Sequence, residues 1–330
     1  MTRHEMLAAI GGAALLALGL AGPASAAGTG YIFVSNEADH TVTVVDGKTF
    51  QVVKTIATGQ RPRDMRWVEG KTRLLVAVSG SDRIDVIDVS KLEVVGAIQA
   101  GEDPEIFALD PSGKILVAAN EDDNEVTVTD AATGERIRTV EGVGVEPEGV
   151  TFRHDGKVVF VTSEATNTVF VIDPWQGEII TEVLVGNRPR RGIVTPDDKE
   201  YWVTNELGAT ITILDAQTYE LIDTVHFEKR GLRQEDISPV DFAMTRDGKT
   251  AYITLGRANH VAVVDVASRE VTDYILAGKR VWGAALNADE SLLVVTNGAS
   301  DDITIIDTAK KVAVNSVAVG RTPHTVRIDD

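Results

Sequence analysis

The sequence predicts an all-β protein, a seven-bladed β-propeller of four-stranded antiparallel blades. The ring is expected to close by pairing the C-terminal innermost strand with the N-terminal strands. Three observations lead there. A strand ending in Val/Ile-x-Asp, or a close variant, returns at Asp46, Asp88, Asp130, Asp173, Asp215, Asp265 and Asp307, with gaps of 42, 42, 43, 42, 50 and 42 residues. A period near 42 is that of a four-stranded blade, and a single blade cannot bury its own apolar faces. Each Asp also follows an alternating β-branched run such as Thr41-Val42-Thr43-Val44-Val45, the pattern of a half-buried strand. Finally, the repeats open on a B-type strand, Tyr31-Ile32-Phe33-Val34-Ser35, and finish on an A-type strand, Thr325-Val326-Arg327-Ile328, so the two ends complete one blade.

The third repeat shows the elements in order. Gly149-Val150-Thr151-Phe152 reads as strand A, and His154-Asp155-Gly156-Lys157 as a hairpin turn. Val158 to Thr162 is strand B, Thr168 to Asp173 strand C and Glu178 to Val185 strand D. By this count the A strands start near Asp64, Ile106, Gly149, Gly192, Asp241, Gly283 and Thr325.

Residues 1–26 are of another kind. Arg3 and His4 precede an apolar stretch from Leu7 to Leu20, and Ala24-Ser25-Ala26 is an A-x-A cleavage signal. This reads as a secretory signal peptide, leaving residues 27–330 as a single propeller domain in the periplasm, with no membrane insertion after cleavage. The chain has no cysteine, which excludes disulfides and thiolate chemistry. Its net charge of −18 repels phosphate backbones and argues against nucleic-acid binding.

The repeats resemble the YVTN-type β-propeller repeat. The residues that carry the resemblance are Tyr201-Trp202-Val203-Thr204-Asn205, Leu293-Val294-Val295-Thr296-Asn297 and the looser Phe33-Val34-Ser35-Asn36. A Gly-x-x-Pro frame precedes strand A at Gly59/Pro62, Gly101/Pro104, Gly144/Pro147, Gly186/Pro189 and Gly320/Pro323. Within that family, an exported seven-repeat chain is similar to the propeller proteins associated with PQQ-dependent alcohol catabolism. The resemblance implies a non-enzymatic binding or docking role, with PQQ as a candidate cofactor; the carboxylates described below make Ca²⁺ another. The resemblance also implies a periplasmic partner such as a quinoprotein dehydrogenase, a cytochrome c or a transporter component.

The D–A and B–C loops of such blades share one face. Just after each Gly-x-x-Pro position stand Arg63, Glu105, Glu148, Arg190, Val240, Trp282 and His324. Equivalent positions with unlike residues point to a ligand site around the channel mouth, with Arg191 adjoining. In this reading the arginines grip carboxylates and Trp282 stacks on a planar ligand. Single changes there are expected to cost little stability; a structural ion-pair ring, with Trp282 as a plug, is the competing expectation.

Glu105, Glu121, Glu148 and Glu164 form a candidate hard-cation set, and His324 and His40 are expected near each other as candidate haem or metal ligands. The long fifth repeat places its excess in residues 227–239, a candidate partner-docking loop through Lys229, Arg230, Arg233, Glu235 and Asp236. No catalytic residues are assigned, because no nucleophile–base arrangement or metalloprotease motif is present. A metal-dependent lactonase-like hydrolase and a haem-handling maturation propeller stand as alternatives.

Overall fold

The computed structural model describes residues 28–330. The signal-peptide reading of residues 1–26 lies outside them. Seven four-stranded antiparallel sheets form the ring. Blades one to six take their strands in chain order from residues 62–99, 104–141, 147–184, 189–226, 242–276 and 281–318. Blade seven joins Pro323–Asp329 to Tyr31–Asn36, Thr41–Asp46 and Val52–Ala57, with the C-terminal strand innermost. Its register runs from Tyr31 opposite Asp329 to Val34 opposite Val326. Thr29 adds a clasp, donating its N–H and hydroxyl to Asp329 at 2.8 and 2.7 Å.

Each repeated element has a physical reason. The Asp that ends strand C accepts N–H groups of the following turn, as Asp130 does from Ala132 at 3.0 Å and Thr133 at 2.8 Å. Asp46, Asp88, Asp173 and Asp215 do the same. A carboxylate at this position satisfies turn donors that have no strand partner.

The terminal Asn of strand B lies against the Gly of the Gly-x-x-Pro frame. A Cβ on Gly101 would come 2.3 Å from Asn120, one on Gly186 2.4 Å from Asn205 and one on Gly320 2.6 Å from Asn36. The two motifs are therefore two sides of one contact.

Apolar side chains from facing blades fill the spaces between sheets. One cluster joins blades two and three through Ile106, Val117, Val126, Val150, Val161 and Phe170. Another seats Trp202, Ile211, Phe227 and Ile253 between blades four and five. The outer D strands are the exposed edges, as at Leu184 and Leu221.

The innermost strands begin two or three residues earlier than the sequence suggests, at Pro62, Pro104, Pro147, Pro189, Val281 and Pro323; in blade five the strand is shortened to Phe242–Met244. The cause is an irregularity in pairing. Between Pro62 and Met65 the A strand spends three residues where strand B spends two, and the same happens at 104/107, 147/150, 189/192 and 281/284, and in blade seven opposite Val34/Asn36. Such bulges re-aim side chains. Here the bulge falls on the variable residues themselves.

Candidate functional site

Backbone bonds weld the D–A and B–C loops together on one face. Glu164 N–H donates to Glu146 O at 2.9 Å, Glu206 N–H to Arg188 O at 2.8 Å and Glu37 N–H to Thr322 O at 3.0 Å. The residue just before the A strand has positive φ in six blades, at Arg61, Asp103, Glu146, Arg188, Arg280 and Thr322. The same conformation recurs in the C–D turns of the opposite face, at Phe50, Leu92, Tyr219, Arg269 and Lys311, so it belongs to the blade's turns rather than to the mouth alone. A hydroxyl late in strand B then fixes the carbonyl of the variable residue in the next blade. Ser35 holds Arg63, Thr162 holds Arg190, Thr204 holds Val240, Thr254 holds Trp282 and Thr296 holds His324, at 2.6–2.9 Å. The threonine of the YVTN pattern thus positions the site.

The structure brings Arg63, Glu105, Glu148, Arg190, Trp282 and His324 together as a buried floor across the channel. Arg63 pairs with Glu105. Arg190 pairs with Glu148 at 3.1 Å and with Glu164, while Arg188 reaches Glu164 at 2.6 Å and Glu206 at 3.2 Å. Burial opposes the charges on Arg63 and Arg190, but their carboxylate partners outweigh it and hold both guanidiniums above their usual range. Single changes here are therefore expected to be costly rather than cheap. These are buried ion pairs, and removing one partner leaves the other desolvated and alone.

Trp282 sits in the floor with its ring against arginines. It is buried, and the Arg190 and Arg280 guanidiniums lie 5.1 and 4.8 Å from its ring centroid. Blade five offers only Val240 at this position, and Arg190 and Trp282 from the blades on either side come into contact. Cationic groups over an indole face are attracted by its quadrupole.

His324 lies 5.8 Å from Trp282, and its Nε2 is buried without a hydrogen-bond partner. Burial first, and then the charges of Arg63, Arg191, Arg190 and Arg280, hold His324 well below its usual pKa, so it is neutral. The expected approach of His40 does not occur in the contacts of either ring. His40 Nδ1 accepts the Arg61 N–H at 3.1 Å, whereas His324 Nδ1 lies against Thr325 and Arg191.

The acidic sector differs from the expected set. The carboxylates that lie within metal-binding reach of one another are Asp103, Glu105 and Glu121, and separately Glu121, Glu146 and Glu164, with ligand atoms within 4.8 Å. Glu148 is instead turned to Arg190. Asp103 and Glu146 were missed, although both stand directly before a frame proline, the position that also supplies Arg61 and Arg188. Burial pushes Glu105 and Glu121 up, and Glu164 up to about 8.

Above this floor opens a cavity of about 440 Å³. Arg63, Arg188, Arg190, Arg257 and Arg280 line it against only Glu37 and Glu206. Of these arginines, Arg63, Arg188 and Arg190 are set against the carboxylates of the floor, and Arg257 and Arg280 are in no ion pair among the described residues. Arg257 carried no repeat signal, and Arg280, at the position that supplies Arg61 and Arg188, was missed because Val281 replaces the frame proline there.

The insertion at 227–239 is not a bare surface loop. Phe227, Ile237 and Val240 are buried, Leu232 packs on the core, and Gln234 donates to Phe227 O at 3.1 Å. The charged residues Arg230, Arg233 and Glu235 are exposed, Lys229 and Asp236 partly so. Arg233 spends its charge on Glu235 and Asp236 within the loop.

Fold and mouth together define a seven-bladed propeller with an arginine-rich cavity over a sealed channel floor. A YNCE-like beta-propeller family model matches residues 4–129. The cytochrome D1 heme domain model matches residues 112–330, well over half the chain, and the chain belongs to that family. It is 22% identical to the YncE protein of Salmonella typhi over 245 residues, 69% of this chain and 67% of that protein. The periplasmic gluconolactonase PpgL of Pseudomonas aeruginosa shares the fold, with a TM-score of 0.78 at 17% identity over 91% of this chain and 99% of that one. So does the dihydro-heme d1 dehydrogenase NirN in complex with DHE, with a TM-score of 0.68 at 13% identity over 90% and 75%.

Proposed function

We propose that this protein is a binding propeller for a planar, carboxylate-rich redox cofactor, taken up at the channel mouth and exchanged with a partner in the periplasm. The observation that carries the reading is the cavity with five arginines and two glutamates, floored by Trp282 and a neutral His324. Guanidinium forks match carboxylates in bidentate geometry. The exposed members, Arg257 and Arg280, are free to meet a ligand from solvent, whereas Arg63 and Arg190 are held by the floor and Arg188 by Glu164 and Glu206.

A tetrapyrrole of the kind in the family's name fits these residues. Arg257 and Arg280 would hold its carboxylates, and the unpartnered Nε2 of neutral His324 is of the type that ligates iron. Such a group supplies one-electron chemistry when bound. This chain's residues would fix its edge charges, cover one face and exclude water from it. PQQ presents the same chemistry of a planar ring with several carboxylates, and Ca²⁺ at the Glu121 sector would accompany it.

Absorbance titration separates the two. Haemin and PQQ are added in turn to wild-type protein and to His324→Gln. Saturable binding of haemin with a Soret shift lost in the variant supports the tetrapyrrole. Binding of PQQ that survives the variant supports the quinone. If neither binds at millimolar concentration while a sugar lactone is hydrolysed, the reading gives way to the hydrolase alternative.

A further inference from the structure

A second cavity of about 210 Å³ lies deeper in the channel, beneath the floor. Its walls are small because the innermost strands present Ala108, Gly149, Gly192 and Ala284 there. The two glycines are required where they stand: a Cβ on Gly149 would lie 2.2 Å from Arg190 O, and one on Gly192 2.1 Å from the Tyr201 hydroxyl. Into this space project Arg66, Arg191 and Arg327, with Asp241 as the one acidic residue of the lining.

The charges do not balance. Asp64 is shared between Arg66 at 2.7 Å and Arg327 at 3.0 Å, and Asp241 takes Arg191 at 2.8 Å. Three guanidiniums thus meet two carboxylates. Arg191 is buried, yet its Nε bonds to nothing. Burial, and after it repulsion from Arg66, pushes Arg327 down to about 10. Guanidiniums are crowded together in a low-dielectric space where an added negative charge would be stabilised. The chamber is also distinct from the mouth. Arg191 stands between them, with Nη2 3.4 Å from His324 Nδ1 and 3.3 Å from the Thr325 hydroxyl.

We infer that the inner chamber binds a small oxyanion or short-chain carboxylate, held by Arg66, Arg191 and Arg327. The volume is less than half that of the mouth cavity and suits a compact anion rather than a polycyclic one. This goes beyond the reading of the mouth and does not require it.

The test is calorimetric titration of the purified full chain with inorganic phosphate and, separately, with acetate, in chloride buffer of matched ionic strength. Arg66→Met is the diagnostic variant, since its side chain is about a third exposed and folding is checked by its melting temperature. Saturable binding of either anion, weakened at least tenfold by Arg66→Met, is the expected result; phosphate alone or acetate alone then identifies the class. Absence of saturable heat for both anions in wild type, or unchanged affinity in Arg66→Met, overturns the inference. No quinone or porphyrin enters the assay, so its failure leaves the mouth reading standing.

Discussion

Replacing Arg190 by Met tests whether the channel floor is a mutually dependent charge network. Arg190 is the cation that faces Glu148, at 3.1 Å, and both side chains are almost fully buried. Glu164 keeps Arg188 at 2.6 Å, so it is not left alone. The main cost is therefore Glu148, a desolvated carboxylate without a counter-ion. Removing one partner of a buried pair destabilises by about 3–5 kcal/mol. Met nearly matches the volume of the arginine stem, so little of this is a cavity effect. Adding Glu148→Gln removes the orphaned charge, and the double variant is expected to recover about 1–3 kcal/mol relative to the sum of the single changes. Urea unfolding of wild type, both single variants and the double variant gives the cycle. A single Arg190→Met variant within about 1 kcal/mol of wild type, or strict additivity in the cycle, refutes the reasoning, because exposed pairs contribute about that much at most.

Three further outcomes follow from the structure. Deleting residues 323–329 strips the innermost strand from blade seven and leaves the Tyr31–Asn36 strand unpaired on one side, so cooperative unfolding by circular dichroism is expected to be lost; an unchanged transition contradicts ring closure. Shortening the insertion at 227–239 removes the buried Phe227 and Ile237 and is expected to lower the melting temperature. Changing Arg230, Arg233 and Glu235 to Ala together spares it and weakens capture of a periplasmic cytochrome c or quinoprotein partner; equal capture by both forms removes the docking role. Because burial raises Glu121, which makes no ion pair among the described residues, the folded state holds a proton that the unfolded chain gives up in the usual carboxylate range. Stability is expected to fall as pH rises from that range through the raised titration of Glu121, and a melting temperature that climbs across this window is the opposite result.

The ring was legible because its signals are local and repeated. The Asp turn, the Asn–Gly contact and the β-branched alternation each recur in several blades, and every copy supports the others. The floor residues were legible for the converse reason, as departures within a repeated frame. Arg257 was not, because an arginine on a loop looks the same whether it faces the channel or the solvent, and Arg280 was hidden because Val281 replaces the frame proline after it. Asp103 and Glu146 reach the site through positive φ before a proline, which spacing alone does not reveal. The inner arginines were hidden in the middle of strand A, where Arg66 and Arg327 occupy one repeat position that the bulge returns to the channel. The fifth repeat misled in the other direction. Its charged composition suggested a surface loop, while Phe227, Leu232 and Ile237 are spaced irregularly and gave no periodic sign that they anchor it.

The claim at the centre of this account is that the mouth binds a planar polycarboxylate through its exposed arginines. Arg280 tests it most directly, since it is exposed, lies 4.8 Å from the Trp282 ring centroid and appears in no ion pair among the described residues. Calorimetric titration of wild type and Arg280→Gln with PQQ and with haemin is expected to give saturable binding of one of them, weakened at least tenfold in the variant, with the melting temperature of the free protein nearly unchanged. Equal affinity in both proteins, or no binding of either ligand by wild type, would contradict it.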